Sequence, residues 1–153
     1  MVLRWLYSPA PEYHLVSRVF LRALALIYLA AFASLATQID GLAGSEGLLP
    51  LGSRLDLMLQ QIGNESYWRM PNLFWVYSGD AALTGATWSG CVFAVLLLFN
   101  RLPRLSLIAL FALYLSLFHA GQIFMNFQWD YLLLEAGFLA ILLSVNASRL
   151  VVW

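Results

Sequence analysis

The chain has 153 residues, of which 62% are hydrophobic and 10% charged, with eight basic side chains balanced by eight acidic ones. A soluble domain carries about 25% charged residues, so the composition specifies an integral membrane protein, and the balanced charge gives no sign of nucleic-acid binding, which needs a concentrated basic face. All the basic residues are Arg and the only cysteine is Cys91, which removes lysine chemistry and an internal disulfide from consideration.

The first apolar window runs from about Val19 to Ile39 and ends in Ser34, Thr37 and Gln38, too long and too polar at its end for a cleaved leader. After it, the glycine-punctuated stretch 41–50 suits tight turns at a bilayer surface. Ser53 followed by Asp56 resembles a capping box, Leu55, Met58, Leu59 and Ile62 share a helical face, and Gly63 is a stop signal. The pattern predicts an amphipathic interfacial helix between the first and second spans, packed on lipid or on the protein. Tyr67, Trp68, Phe74, Trp75 and Tyr77 then form either an aromatic belt at the headgroups or a ligand surface.

The second span is expected at 80–99. The apolar tract from Leu105 to Val145 would be about 60 Å long as one helix, twice the roughly 30 Å of a bilayer core. It must turn, and the polar cluster 126–130 is the place, which predicts spans at 105–125 and 129–145. The expected fold is therefore all-α, about four transmembrane helices in a bundle, forming one multi-pass domain over 1–153. Arg4, Arg18 and Arg22 precede the first span, Arg101 and Arg104 separate the second and third, and Arg149 follows the fourth. The positive-inside rule puts all three sites, and so both termini, in the cytoplasm.

Buried charge in lipid costs several kcal/mol unless paired, hydrated or neutralised. Asp130 and Glu135 stand inside an apolar run beside Gln128 and Asn126, which makes them, with the adjoining Trp129, candidates for function. Five residues advance a helix by about 500°, so the two carboxylates point apart. His119, Gln122 and Asn126 share a face of the third span, and a turn near Phe127 would bring His119 level with Glu135. That pair would serve proton handling or a polar ligand, or act as glue between helices. Asp130 is expected to be a hydrated or capping carboxylate, and Gln38 to bond across helices together with Ser34. No His/Cys/Asp grouping has metal-ligand spacing, and no phosphate loop or nucleophile elbow is present, so neither a metal nor a cofactor is expected.

Several motifs recur in one order along the chain. Tyr28, Phe32 and Ser34 are followed by Gln38, Gly41-Leu42, Gly44 and Gly47-Leu48-Leu49-Pro50. Pro71-Asn72-Leu73-Phe74-Trp75 leads to Asp80, and the set closes with Phe127-Gln128-Trp129-Asp130, Leu132-Leu133-Leu134-Glu135 and Gly137-Phe138-Leu139. In this the chain resembles the lipase maturation factor family, and the last block is the most specific part. The glycine-to-proline block alone is shared with the wider group that includes the gamma-glutamyl carboxylases.

The resemblance implies a multi-pass, non-enzymatic folding factor whose client is a lipase or another secreted protein. It would sit in the endoplasmic reticulum membrane of a eukaryote or, as favoured here, in a bacterial cytoplasmic membrane. It covers only the N-terminal membrane part of that family, so a truncated part is one form this reading takes. The rival reading is a small membrane enzyme or redox subunit, similar to the carboxylase group or to quinone-linked four-helix proteins.

Overall fold

The computed structural model describes residues 13–147, so Arg4 and Arg149 lie outside the described residues. Among the described residues six helices run in the order α1 (Tyr13–Ala43), α2 (Leu51–Ile62), α3 (Ser66–Arg69), α4 (Asp80–Leu98), α5 (Pro103–Gly121) and α6 (Gln128–Ala147). Short 3₁₀ turns follow α2, precede α4 and end α5. The all-α membrane class is as the composition requires. Large apolar side chains such as Ile27, Trp88, Val92, Ile108 and Leu142 are exposed along the long helices, which water would not tolerate over so continuous a surface. Among the described residues, Leu15–Ala43, Asp80–Leu98 and Pro103–Met125 are long and apolar enough to cross a membrane.

Neighbouring long helices alternate in direction. Asp40 meets Thr84 and Ser45 meets Asp80, so α1 and α4 are antiparallel. Phe118 meets Tyr131 and Phe111 meets Phe138, which sets α5 against α6 in the same way. This geometry gathers exposed Arg18, Arg22, Arg101 and Arg104 at one end of the bundle. The connection 44–79 and the α5–α6 turn occupy the other end, where Gln122 bonds the Leu49 carbonyl.

α1 extends beyond the apolar window at both ends, and the polar residues near its C-terminal end satisfy themselves along the helix. Thr37 Oγ1 donates to the Ser34 carbonyl at 2.8 Å, and Gln38 Nε2 donates to the Ser34 carbonyl and hydroxyl at 3.3 and 3.2 Å. Gln38 is thus bonded within its own helix rather than across to another. The chain then reverses as Gly47, Leu48 and Leu49 N–H groups return to the carbonyls of Gly44, Gly41 and Leu42. A Cβ on Gly44 would stand 2.3 Å from the Asp40 carbonyl oxygen. Backbone cannot retreat there as a side-chain tip could, so Gly44→Ala should cost about 1–2 kcal/mol. A thermal melt in detergent checks this, and an unchanged midpoint would mean the turn is looser than drawn.

α2 begins two residues before the expected Ser53 cap. Pro50 precedes it with φ −56°, and no side chain caps it. Burial decides the start: Leu51 and Leu55 are both in the core, so the helix packs on the protein through this face. Gly63, with φ 64°, ends it as the sequence indicates. The aromatic segment is also partly structural. Phe74 is buried, Trp75 Nε1 donates to the Met70 carbonyl at 2.8 Å, and Leu73 N–H donates to Ser116 Oγ on α5 at 3.0 Å.

α5 starts at Pro103 rather than 105, because proline suits the first helical position, where its missing N–H leaves nothing unpaired. It ends at Gly121 rather than 125. The backbone turns at Gln122, with φ 52°, and continues as a 3₁₀ turn to Met125. α6 starts at Gln128, one residue before the expected 129.

Candidate functional site

Three aromatic side chains bind α1 to the α5–α6 hairpin. Tyr28 and Phe32 lie one helical turn apart on α1, both fully buried, and Tyr114 of α5 meets each edge-on with ring centres 5.8 and 5.6 Å away. Offset and edge-on pairs of this kind add to the stabilisation that burial alone gives. Room for the rings comes from Gly90, whose added Cβ would stand 2.2 Å from Phe32, and Gly137, whose Cβ would stand 2.0 Å from Tyr28 Oη. Tyr28 Oη donates to the Leu133 carbonyl at 3.1 Å, so its polar tip is satisfied inside the bundle.

Tyr114 carries the network to Asp130. Its hydroxyl donates to Asp130 Oδ1 at 2.6 Å, while Oδ2 accepts the Phe127 N–H at 3.4 Å. Asp130 is only 7% exposed. It caps α6 by reaching back three residues to the N–H just before the helix, the second half of a capping box. The capping expectation for Asp130 therefore holds, but the carboxylate is buried against a tyrosine rather than hydrated. The carboxylate also sits in the first turn of α6, where the helix dipole favours negative charge.

The other residues singled out by sequence divide into two groups. Gln128, Trp129 and Glu135 are exposed. Trp129 is 68% exposed and stacks on Phe127, with ring centres 5.2 Å apart. Glu135 forms no hydrogen bond or ion pair among the described residues, so the expected contact with His119 is not made. α6 turns that carboxylate outward, while the small and apolar residues of the helix (Leu133, Gly137, Ala140) face inward.

His119 instead lines a cavity of about 280 Å³ with Arg54, Phe118, Gln122, Ile123 and Asn126. The sequence grouping of His119, Gln122 and Asn126 survives even though α5 ends between them. Asn126 Oδ1 also accepts the hydroxyl of Tyr131.

Two features escaped the sequence reading. Tyr114 lies in a mostly apolar run, with Ser116 two residues on; its hydroxyl alone signalled that a partner had to exist somewhere. The second is a strap at the same end of the bundle as the 44–79 connection. Ser45 donates both its N–H and its hydroxyl to Asp80 at 2.7 and 2.6 Å, and Thr84 donates to the Asp40 carboxylate at 2.9 Å. These bonds fasten the glycine turn to the start of α4. The Asp130 bonds fix the turn that carries Phe127, Trp129 and Tyr131, an exposed aromatic rim at the end of the bundle where Trp68 and Tyr77 of the 44–79 connection are also exposed.

Residues 15–151 match a family model described as the lipase maturation factor transmembrane domain. The chain is 46% identical over 136 residues to lipase maturation factor 2 of Rattus norvegicus, covering 83% of this chain and 19% of that protein. It is 40% identical over 150 residues to lipase maturation factor 2 of Xenopus laevis, covering 90% of this chain and 20% of the relative. Against lipase maturation factor 1 of Bos taurus the figures are 34% over 142 residues, 88% of this chain and 25% of that protein. The chain thus spans about a fifth to a quarter of the length of these relatives. No solved structure matches it.

Proposed function

We propose, from the premise that this chain belongs to the lipase maturation factor family, that it acts as a membrane-embedded folding factor for a secreted lipase. The observation that carries the reading is the family match over residues 15–151. The geometry supports it by supplying a rigid platform: the Asp130 network fixes the start of α6 and leaves an aromatic rim outward. Tyr and Trp offer large contact area at little entropic cost, which suits transient capture of partly folded chain. Trp68, 90% exposed, stands on the 44–79 connection at the same end of the bundle.

A photo-crosslinking residue at Trp129 should capture a newly made lipase of the same cell, and one at Ile108, exposed on the span, should not. Equal capture at both positions, or none at Trp129, would remove the rim from the account.

The reading includes a topology: four spans in one multi-pass domain, both termini cytoplasmic, and the rim on the outer or lumenal side. The bacterial cytoplasmic membrane is the favoured location, with the endoplasmic reticulum membrane its eukaryotic counterpart. Its support is the collection of Arg18, Arg22, Arg101 and Arg104 at the opposite end from the rim. In a Cys91→Ala background, Asn64→Cys should react with an impermeant thiol reagent on intact cells and Asn100→Cys should not. Where the endoplasmic reticulum is the host membrane, sealed microsomes give the same contrast inverted. The opposite labelling would reverse the orientation.

A further inference from the structure

The cavity at the end of α5 has no role in the Asp130 network, and its lining has an unusual inventory of charge. Arg54 on α2 is half-buried, yet its guanidinium makes only one hydrogen bond among the described residues, a long one of 3.4 Å to the His119 carbonyl. Among the described residues no carboxylate pairs with it. His119 and Asn126 line the same cavity, and neither the His119 ring nor the Asn126 amide nitrogen has a hydrogen-bond acceptor among the described residues. Gln122 is already committed to the Leu49 carbonyl at 3.2 Å. The lining thus offers donors and a fixed positive charge, with no acidic side chain to balance them. A guanidinium in a fixed fork is suited to an anion with two accessible oxygens.

The other wall is apolar. Phe118 is half-buried and Ile123 is 69% exposed. Both belong to the last part of the Pro103–Met125 span, so the cavity opens where hydrocarbon gives way to headgroups. Small-molecule sites usually run from about 300 to 1,000 Å³. A cavity of about 280 Å³ fits a headgroup and leaves its acyl chains outside, along Ile123 and Phe118.

We propose that this cavity binds the phosphodiester of an anionic phospholipid, with Arg54 as the principal contact, His119 and Asn126 as further donors, and the acyl chains lying over Ile123. The site places a lipid beside the rim, on the same end of the bundle. It would hold the α2 connection against α5 in a lipid-dependent way.

The test uses the full chain purified in a neutral detergent and titrated with phosphatidylglycerol, phosphatidylcholine or inorganic phosphate, read by melting temperature and by native mass spectrometry of retained lipid. Phosphatidylglycerol should raise the midpoint and remain bound, with phosphatidylcholine weaker and inorganic phosphate inert at the same concentration. Arg54→Gln should weaken phosphatidylglycerol about tenfold, the loss of one charge-assisted contact. Asn126→Asp keeps the acceptor for Tyr131 while adding a negative charge to the cavity, so it should fold and yet bind more weakly still. If Arg54→Gln fails to fold, Asn126→Asp decides. Retention of phosphatidylglycerol by Asn126→Asp at the level of the unmodified chain would overturn the site. Full competition by inorganic phosphate would overturn its assignment to a lipid.

Discussion

Gly90→Val should destabilise the bundle by about 3 kcal/mol or more, at the upper end of what overpacking a tight core costs. The side chain it would strike, Phe32, is fully buried and held between the rings of Tyr28 and Tyr114, with ring centres 6.2 and 5.6 Å away. No side of Phe32 is free to yield. Gly85 on the same helix is the control, since nothing lies within 4 Å of a Cβ there. Gly85→Ala should be neutral or stabilising by up to about 1 kcal/mol, the gain in helix propensity. Melting of the purified protein in detergent gives both numbers. Similar losses at 85 and 90 would show that close approach to Phe32 is not what sets the cost at Gly90, and the aromatic cluster would lose its explanation.

Tyr114→Phe should cost about 2 kcal/mol, and the loss should be recovered largely by adding Asp130→Leu. Neutral hydrogen bonds between membrane helices average only about 0.6 kcal/mol, because unfolded helices in the bilayer also find partners. Asp130 is different because its carboxylate is buried, so removing the tyrosine leaves an oxygen without a donor, which costs more than a bond is worth when made. Asp130→Asn, which can still accept from Tyr114, should lose less. A double-mutant cycle reads the coupling directly. Additive losses for Tyr114→Phe and Asp130→Leu would mean that the 2.6 Å contact contributes nothing of its own.

The order and rough placement of the long helices were legible because lipid enforces continuous apolar runs, and hydropathy reports those without knowledge of packing, but α1 runs past its apolar window at both ends. The turn between α5 and α6 was legible for a related reason: an apolar tract of that length cannot cross once, and Asn126 interrupts it. What failed was the assignment of polar residues to inside or outside. Glu135 and Asp130 stand in the same helix, and the sequence points to Glu135 as the one level with a partner, His119, and to Asp130 as a hydrated or capping carboxylate. Rotation about the axis decided otherwise. Leu133, Gly137 and Ala140 face the bundle and turn Glu135 away, whereas Asp130 faces Tyr114. Sequence spacing gives the angle between two side chains on a helix but not which of them meets a neighbour. The strap from Ser45 to Asp80 was hidden for another reason: its partners are 35 positions apart, and nothing local marks them.

The maturation role is tested most directly by removing the chain from its own cell and measuring secreted lipase activity per unit of lipase protein. The account predicts that lipase continues to be made but that its activity per molecule falls. Restoring the unmodified chain or Gly85→Ala should recover it, and Gly90→Val should not. An unchanged ratio of activity to lipase protein in the deleted cells would contradict the account.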